Sequence, residues 1–273
     1  FKSATYVERQ QELCEIAAHN FPVLNLNHIN IKNEDGVTYL QAMSPVDCLF
    51  LDPARRNEHG GKTVAISDCE PNVAKLEGLL LSKANRIMIK LSPMLDLSQA
   101  LKELPHTQEV HIISVNNECK ELLLLLGQTA PEEIPVHCVN LSTKGEQEKQ
   151  LFVFTREQEQ HSECSYTDTL GNYLYEPNAS LLKAGAFRSI AAAYSVKKLH
   201  PNSHLYTSET QIEGFPGRTF RIINRCSLNK KEIKENLSDL KKANITVRNF
   251  PATVAELRKR IKLAEGGDTY LFA

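Results

Sequence analysis

Apolar and polar positions along this chain follow two different periods. Short apolar runs at Thr5-Tyr6-Val7, Ile29–Ile31, Leu49–Leu51, Arg86–Leu91 and Val110–Val115 have the length and spacing of strands. The segments between them carry helical spacing. It predicts a helix over about 10–20 with Leu13, Ile16 and Ala17 inward. A second helix follows Pro71 through Ala84, with Val73, Leu76, Leu79 and Leu80 inward, and a third covers about 97–104. Glu118–Leu126, closed by Gly127, reads as another helix, and 136–141 with 150–155 as a hairpin around 143–148. This alternation predicts an α/β fold: a doubly wound, Rossmann-like sheet ending in an antiparallel pair.

The second half changes character. Glu157–Asp168 is polar and is the best linker candidate. Tyr173 and Tyr175 open a compact unit with a helix over about 180–193. The polar stretch around Pro201 marks the next boundary. The tail reads β-α-β-α-β: a strand at 220–223, a helix opened by Asn229, a strand at 245–250, a helix opened by the Thr253-x-x-Glu256 capping box, and a strand at 270–272. Ile233, Leu237 and Leu240 form the inner face of the first tail helix, and Val254, Leu257 and Ile261 that of the second. The expected domains are 1–158, 159–208 and 209–273.

Chemistry concentrates at strand ends. Asp47 to Arg56 reads D-C-L-F-L-D-P-A-R-R. Its apolar run suits a strand covered on both faces, and Pro53 ends it, holding Asp52 at the carboxyl end. Open α/β sheets place their ligand crevice there. Glu8 ends the first strand, and Asp35-Gly36 follows the second. Three acids at three strand ends would converge on one crevice; each alone is equally a turn or cap residue. Lys90 and Ser92 end the Arg86–Leu91 strand and line the same side, unless they form an ordinary strand-end turn. The loop from Arg56 to Glu70, with Gly60-Gly61, is expected to act as a substrate loop or lid.

Composition narrows the partners. The formal net charge is −1, yet Arg218 to Lys262 holds thirteen Lys or Arg against four Asp or Glu. That segment carries +9 on an otherwise acidic chain, which suits a polyanion; a solvated helix surface is the plain alternative. The longest apolar run, Leu122–Leu126, is too short to span a bilayer, so no membrane partner is expected. Seven scattered cysteines suit reduced thiols in the cytoplasm, and no metal site is expected.

These motifs together resemble a known family. Y-V-E-R-Q-Q-E-L-C-E-I-A-A-H-N-F is similar to the second strand and following helix of class I S-adenosylmethionine-dependent methyltransferases, and N-E-D-G to their adenine-contacting segment. L-D-P-A-R-R resembles their fourth motif, the D-P-P-Y-like element of amino-group methyltransferases. F-P-G-R-T-F-R-I through G-G-D-T-Y-L-F resembles a THUMP-like domain, and Y-E-P-N-A-S-L-L-K-A-G-A-F-R the ferredoxin-like domain that precedes it in bacterial members.

The resemblance implies S-adenosylmethionine as cofactor, held by Glu8, Asp35, Gly36 and Asp52. It implies catalysis at Asp52, Pro53 and Arg55 on a base amino group in structured RNA, tRNA or rRNA. With the basic tail it implies RNA contacts at Lys90, Ser92, Arg218, Lys230, Lys231, Arg248, Arg258 and Arg260. The family's glycine-rich first motif is absent, so the chain is expected to lack the first strand of its sheet and to bind cofactor weakly. The aromatic residue of D-P-P-Y is Arg55 here, which leaves the target atom open. Two other readings stand beside this one: a non-catalytic RNA-binding protein with a degenerate methyltransferase domain, and a nicotinamide-dependent oxidoreductase whose ribose Glu8 would hold.

Overall fold

A computed structural model describes residues 1–55, 65–143 and 149–273. The expected substrate loop and the tip of the 136–155 hairpin lie largely outside the described residues. The chain divides into two compact units, Phe1–His111 with Glu121–Ile134, and Ile112–Lys120 with Pro135–Ala273.

The first unit holds β1 (Ala4–Glu8), α1 (Gln11–Val23), β2 (Ile29–Asn33), α2 (Gly36–Ala42), β3 (Val46–Leu51), β4 (Ala54–Arg55), β5 (Cys69–Glu70), α3 (Val73–Lys83), β6 (Ala84–Leu91) and α4 (Leu97–Glu103). Two long strands, β7 (Thr107–Val115) and β8 (Glu118–Leu126), run through both units. β1 and β2 pair in parallel from Ala4↔Ile29 to Glu8↔Asn33. β3 pairs in parallel with β6, up to Leu51↔Ile89. β6 pairs antiparallel with β8, and this core is apolar to the centre: Ile87, Ile89, Leu122 and Leu124 are each at most 1% exposed.

Three expectations for this unit change. Glu118–Leu126 is a strand, not a helix. Asn116 and Asn117 both take positive φ, 50° and 63°, the requirement of a two-residue type I′ hairpin turn. The leucine run then alternates, with Leu122, Leu124 and Leu126 buried and Leu123 and Leu125 half-buried. β3 is not covered on both faces. Among the described residues it ends the strand order with β6 as its neighbour, and Val46, Cys48 and Phe50 are exposed. On α1 the small residues Cys14 and Ala17 are buried, while Leu13 and Ile16 are exposed; small side chains allow the helix its close approach to β2.

The second unit opens with the antiparallel pair β9 (Val136–Leu141) and β10 (Lys149–Phe154). The full strand order of the large sheet is β10-β9-β7-β8-β6-β3. The expected linker contains a helix, α5 (Arg156–His161), with a capping box at Thr155 and Gln158. Next come β11 (Tyr173–Pro177), α6 (Ala179–Ala184), α7 (Arg188–Tyr194), β12 (Lys197–Lys198), β13 (Tyr206–Ser208) and β14 (Gly217–Arg221), whose strands form an antiparallel sheet in the order β12-β13-β11-β14. The single helix expected over 180–193 is two. Gly185 ends α6 at φ 76°, a conformation glycine adopts without strain. Glu159 then caps α7, accepting from the backbone N–H groups of Phe187, Arg188 and Ser189 at 3.0, 2.8 and 2.9 Å.

The tail continues through α8 (Lys230–Leu237), β15 (Asn244–Thr246), α9 (Val254–Ile261) and β16 (Tyr270–Phe272). Its β-α-β-α-β order is as expected. β14, however, joins the antiparallel sheet through β11, while β15 and β16 pair in parallel as a separate ladder. Asn229 and Thr253 cap their helices as the spacing predicts. Leu257 is buried, whereas Ile233, Leu237, Leu240 and Ile261 are half-buried and Val254 is exposed.

Candidate functional site

The crevice of the first unit lies where β1, β2 and β3 end. Its cavity, about 460 Å³, is lined by Glu8, Arg9, Asp35, Gly36, Asp52 and Ala54, and by Glu70, Asn72 and Lys75 from the segment entering α3. This volume lies within the range of small-molecule sites. Glu8, Asp35, Gly36 and Asp52, chosen from the sequence, thus share one cavity.

Local folding fixes each acid. Asn33 Nδ2 donates to the backbone carbonyls of Glu8 and Arg9 at 3.0 and 3.1 Å, tying the end of β1 to β2. Glu8 spends Oε1 on the Gln10 N–H at 2.8 Å. Its other oxygen accepts no hydrogen bond among the described residues. Asp35 caps α2: Oδ1 accepts from the Val37 and Thr38 N–H groups at 3.0 and 2.9 Å and from the Thr38 hydroxyl at 3.2 Å. The Thr38 backbone bond, above all, holds its carboxyl below the usual carboxylate value. Asp35 is therefore a helix cap as well as a crevice wall, with Oδ2 as its remaining acceptor.

At the third strand end Pro53 is buried and Asp52 exposed. Lys90 Nζ lies 2.6 Å from Asp52 Oδ2 and 4.0 Å from a Glu121 oxygen. Ser92 starts the turn after β6, its Oγ accepting from the Met94 N–H at 3.3 Å. Arg55 lies in β4, which pairs with β5 at Arg55↔Cys69; its side chain is outside the described residues.

Sequence reasoning missed Arg9 and Glu70, which form an ion pair at 3.3 Å beside the crevice. Arg9 carried a signal, since it follows Glu8 directly. Glu70 carried none, because only the ladder pair Ala54↔Glu70 brings it to the site. Carboxylate oxygens of Glu8, Asp35 and Asp52 line this cavity as acceptors for hydroxyl and amino donors, together with the cations Arg9 and Lys75.

The basic tail is less uniform than its charge count. Glu176, in β11, has a side chain 2% exposed and binds two arginines. Oε2 accepts from Arg218 Nε at 2.9 Å and from its Nη2, and Oε1 accepts from Arg248 Nη2 at 2.5 Å. Arg218 also stacks over Phe220 and Tyr270, 5.3 and 5.1 Å from their ring centroids. Arg258 donates to the Ala243 and Leu263 carbonyls at 3.3 and 3.2 Å, and Arg260 to the Leu228 carbonyl at 2.7 Å. These four arginines, expected as RNA contacts, thus also have partners within the protein. Lys230 and Lys231 are exposed on α8, with Lys231 3.9 Å from Glu235.

The sheet, its strand-end crevice and the two small modules after it define a methyltransferase-type α/β protein with C-terminal ferredoxin-like and THUMP-like domains, and the chain belongs to that family. A family model for a ferredoxin-like domain matches residues 173–216, and one for a THUMP domain-like module matches 217–273. The chain is 38% identical to a protein from Porphyromonas gingivalis W83 whose crystal structure is described as that of a "putative methyltransferase". The two superpose with a TM-score of 0.87 over 99% of this chain and 68% of that one. No protein among curated sequences matches.

Proposed function

We propose that this protein is an S-adenosylmethionine-dependent methyltransferase acting in the cytoplasm on a base amino group of structured RNA, tRNA or rRNA. The observation that carries this reading is the shared crevice of Glu8, Asp35 and Asp52, in a chain 38% identical to a "putative methyltransferase". The residues fit the cofactor. The second oxygen of Glu8 is an acceptor for ribose hydroxyls, and Asp35 Oδ2 is one for the adenine amino group. Bound there, S-adenosylmethionine would supply a methyl group made electrophilic by its sulfonium.

The protein's own contribution is placement. Asp52 accepts an N–H of the target amine and directs its lone pair; orientation of this kind supplies much of a transfer rate without a strong base. Pro53 fixes the backbone at that point. Arg55, in place of an aromatic residue, suits stacking on a base or binding a phosphate. The lysines of α8, with the outward N–H groups of Arg218, Arg248, Arg258 and Arg260, suit phosphate contacts that hold RNA without reading its sequence.

Titration calorimetry on the full-length protein tests the cofactor half. S-adenosylmethionine should bind, and Glu8→Ala should weaken it at least tenfold. Binding of a nicotinamide dinucleotide instead would favour an oxidoreductase.

A further inference from the structure

Lys90, expected as a substrate or RNA contact, is paired with Asp52. β3 and β6 run in parallel, and their register pairs Leu51 with Ile89. One residue further on, β3 has ended at Asp52, while β6 continues through Lys90 to Leu91. Ile89 and Leu91 on either side of Lys90 are buried, so the strand holds Lys90 in place on the opposite face. The Lys90 side chain is 30% exposed, and its Nζ lies 2.6 Å from Asp52 Oδ2. Pro53, buried directly after Asp52, limits the backbone from which the carboxylate is presented. An ammonium on a flexible surface stem fixes little. Here Lys90 hangs from β6, and Asp52, its side chain 54% exposed, directly follows the last residue of the neighbouring β3 and precedes buried Pro53.

We propose that Lys90 is a positioning residue for the methyl transfer: it holds Oδ2 of Asp52, so that Oδ1 alone is presented to the target amine. This role rests on the methyltransferase reading above. With Oδ2 engaged by the ammonium, Oδ1 is a hydrogen-bond acceptor for an N–H of the target. The target nitrogen attacks as a neutral amine. Its lone pair forms the new N–C bond as the C–S bond breaks with its electron pair on sulfur, and the surplus N–H proton leaves to water. Glu121, 4.0 Å from Nζ, lies on the far side of the contact range and adds a weaker pull on the same ammonium.

The test uses the full-length protein with Lys90→Met and Lys90→Arg, both first checked for an unchanged melting temperature. Lys90→Met should lower kcat for RNA methylation by roughly tenfold or more, the scale on which misplacement of a reacting group acts. The dissociation constant for S-adenosylmethionine should stay within about twofold, and Lys90→Arg should restore most of kcat. A second readout needs no activity. Trace acetylation of amines, read by mass spectrometry, should label Lys90 several-fold faster in Asp52→Asn than in the wild type. Equal labelling in both proteins means that the pair does not form in solution and overturns the proposal. So does an unchanged kcat in Lys90→Met when the wild type is active. A wild type that neither binds the cofactor nor transfers a methyl group overturns the methyltransferase reading itself, and the labelling result then shows separately whether the ion pair exists.

Discussion

Replacing Glu176 by glutamine should be among the most damaging single changes in the second unit. The carboxylate is 2% exposed and takes charge-assisted bonds from two arginines that are 37% and 34% exposed. Glutamine keeps the shape, but it removes the charge and turns an N–H donor toward a guanidinium. Removing one partner of a buried ion pair costs about 3–5 kcal/mol, because a charge is left uncompensated. Both arginines regain some water here, which reduces the cost to roughly 2–3 kcal/mol. For a unit of this size that is a fall in Tm of roughly 5–10 °C. The chain has no tryptophan, so far-UV circular dichroism is the suitable probe of unfolding. The triple change Glu176→Met, Arg218→Met and Arg248→Met should recover part of the loss, since no lone charge then remains. A Glu176→Gln protein melting within about 1 °C of wild type would mean that the two arginines do not depend on this carboxylate.

Other outcomes follow from the same structure. His204 stacks on Phe187 with centroids 3.6 Å apart, and burial first, then Lys198 and Arg248, hold its imidazole down to about 4 from an ordinary 6.5. The unfolded chain therefore binds more protons between those values, so stability is full above about pH 6.5 and falls toward pH 4. After discounting for solvent the loss is roughly 1–2 kcal/mol, and His204→Asn, which tolerates the φ of 53° at this position, should flatten the denaturation midpoint across that window. Asn178 is buried, caps α6 through the Leu181 N–H at 3.2 Å and donates to Gln150 at 3.0 Å. Asn178→Ala should cost roughly 2–3 kcal/mol by chemical denaturation, against about 1 for an exposed cap such as Asn229. Charge reversal at Lys230 and Lys231 should weaken binding to many RNAs alike and reduce the log–log salt slope, by roughly 0.7–0.9 for each phosphate no longer neutralised. An unchanged slope would make α8 a solvated surface only.

Strand ends were the most legible feature of this sequence. Glu8, Asp35 and Asp52 reached one cavity because each is held by a local signal: a strand tip, an Asx cap and an Asp-Pro stop. The caps of α8 and α9 were equally readable at Asn229 and Thr253. Longer-range partners were not. Five leucines in a row fit a helix or a strand alike, and the deciding residues, Asn116 and Asn117, lie just outside the run. The helix over 180–193 failed at Gly185, whose left-handed backbone ends α6, while distant Glu159 caps the helix that follows. Glu70 and Glu176 carried no local mark of function. Their roles arise from pairings 61 residues away with Arg9, and 42 and 72 away with Arg218 and Arg248.

Methyl transfer itself decides whether this crevice is an active site. The full-length protein, given S-adenosylmethionine labelled in its methyl group and total RNA, should place label in RNA, and digestion to nucleosides should yield a base methylated on an amino nitrogen. Asp52→Ala should abolish that labelling while retaining cofactor binding. Label that persists undiminished in Asp52→Ala, or no label from a wild type that binds both cofactor and RNA, would contradict the assignment of this crevice as a methyltransferase active site.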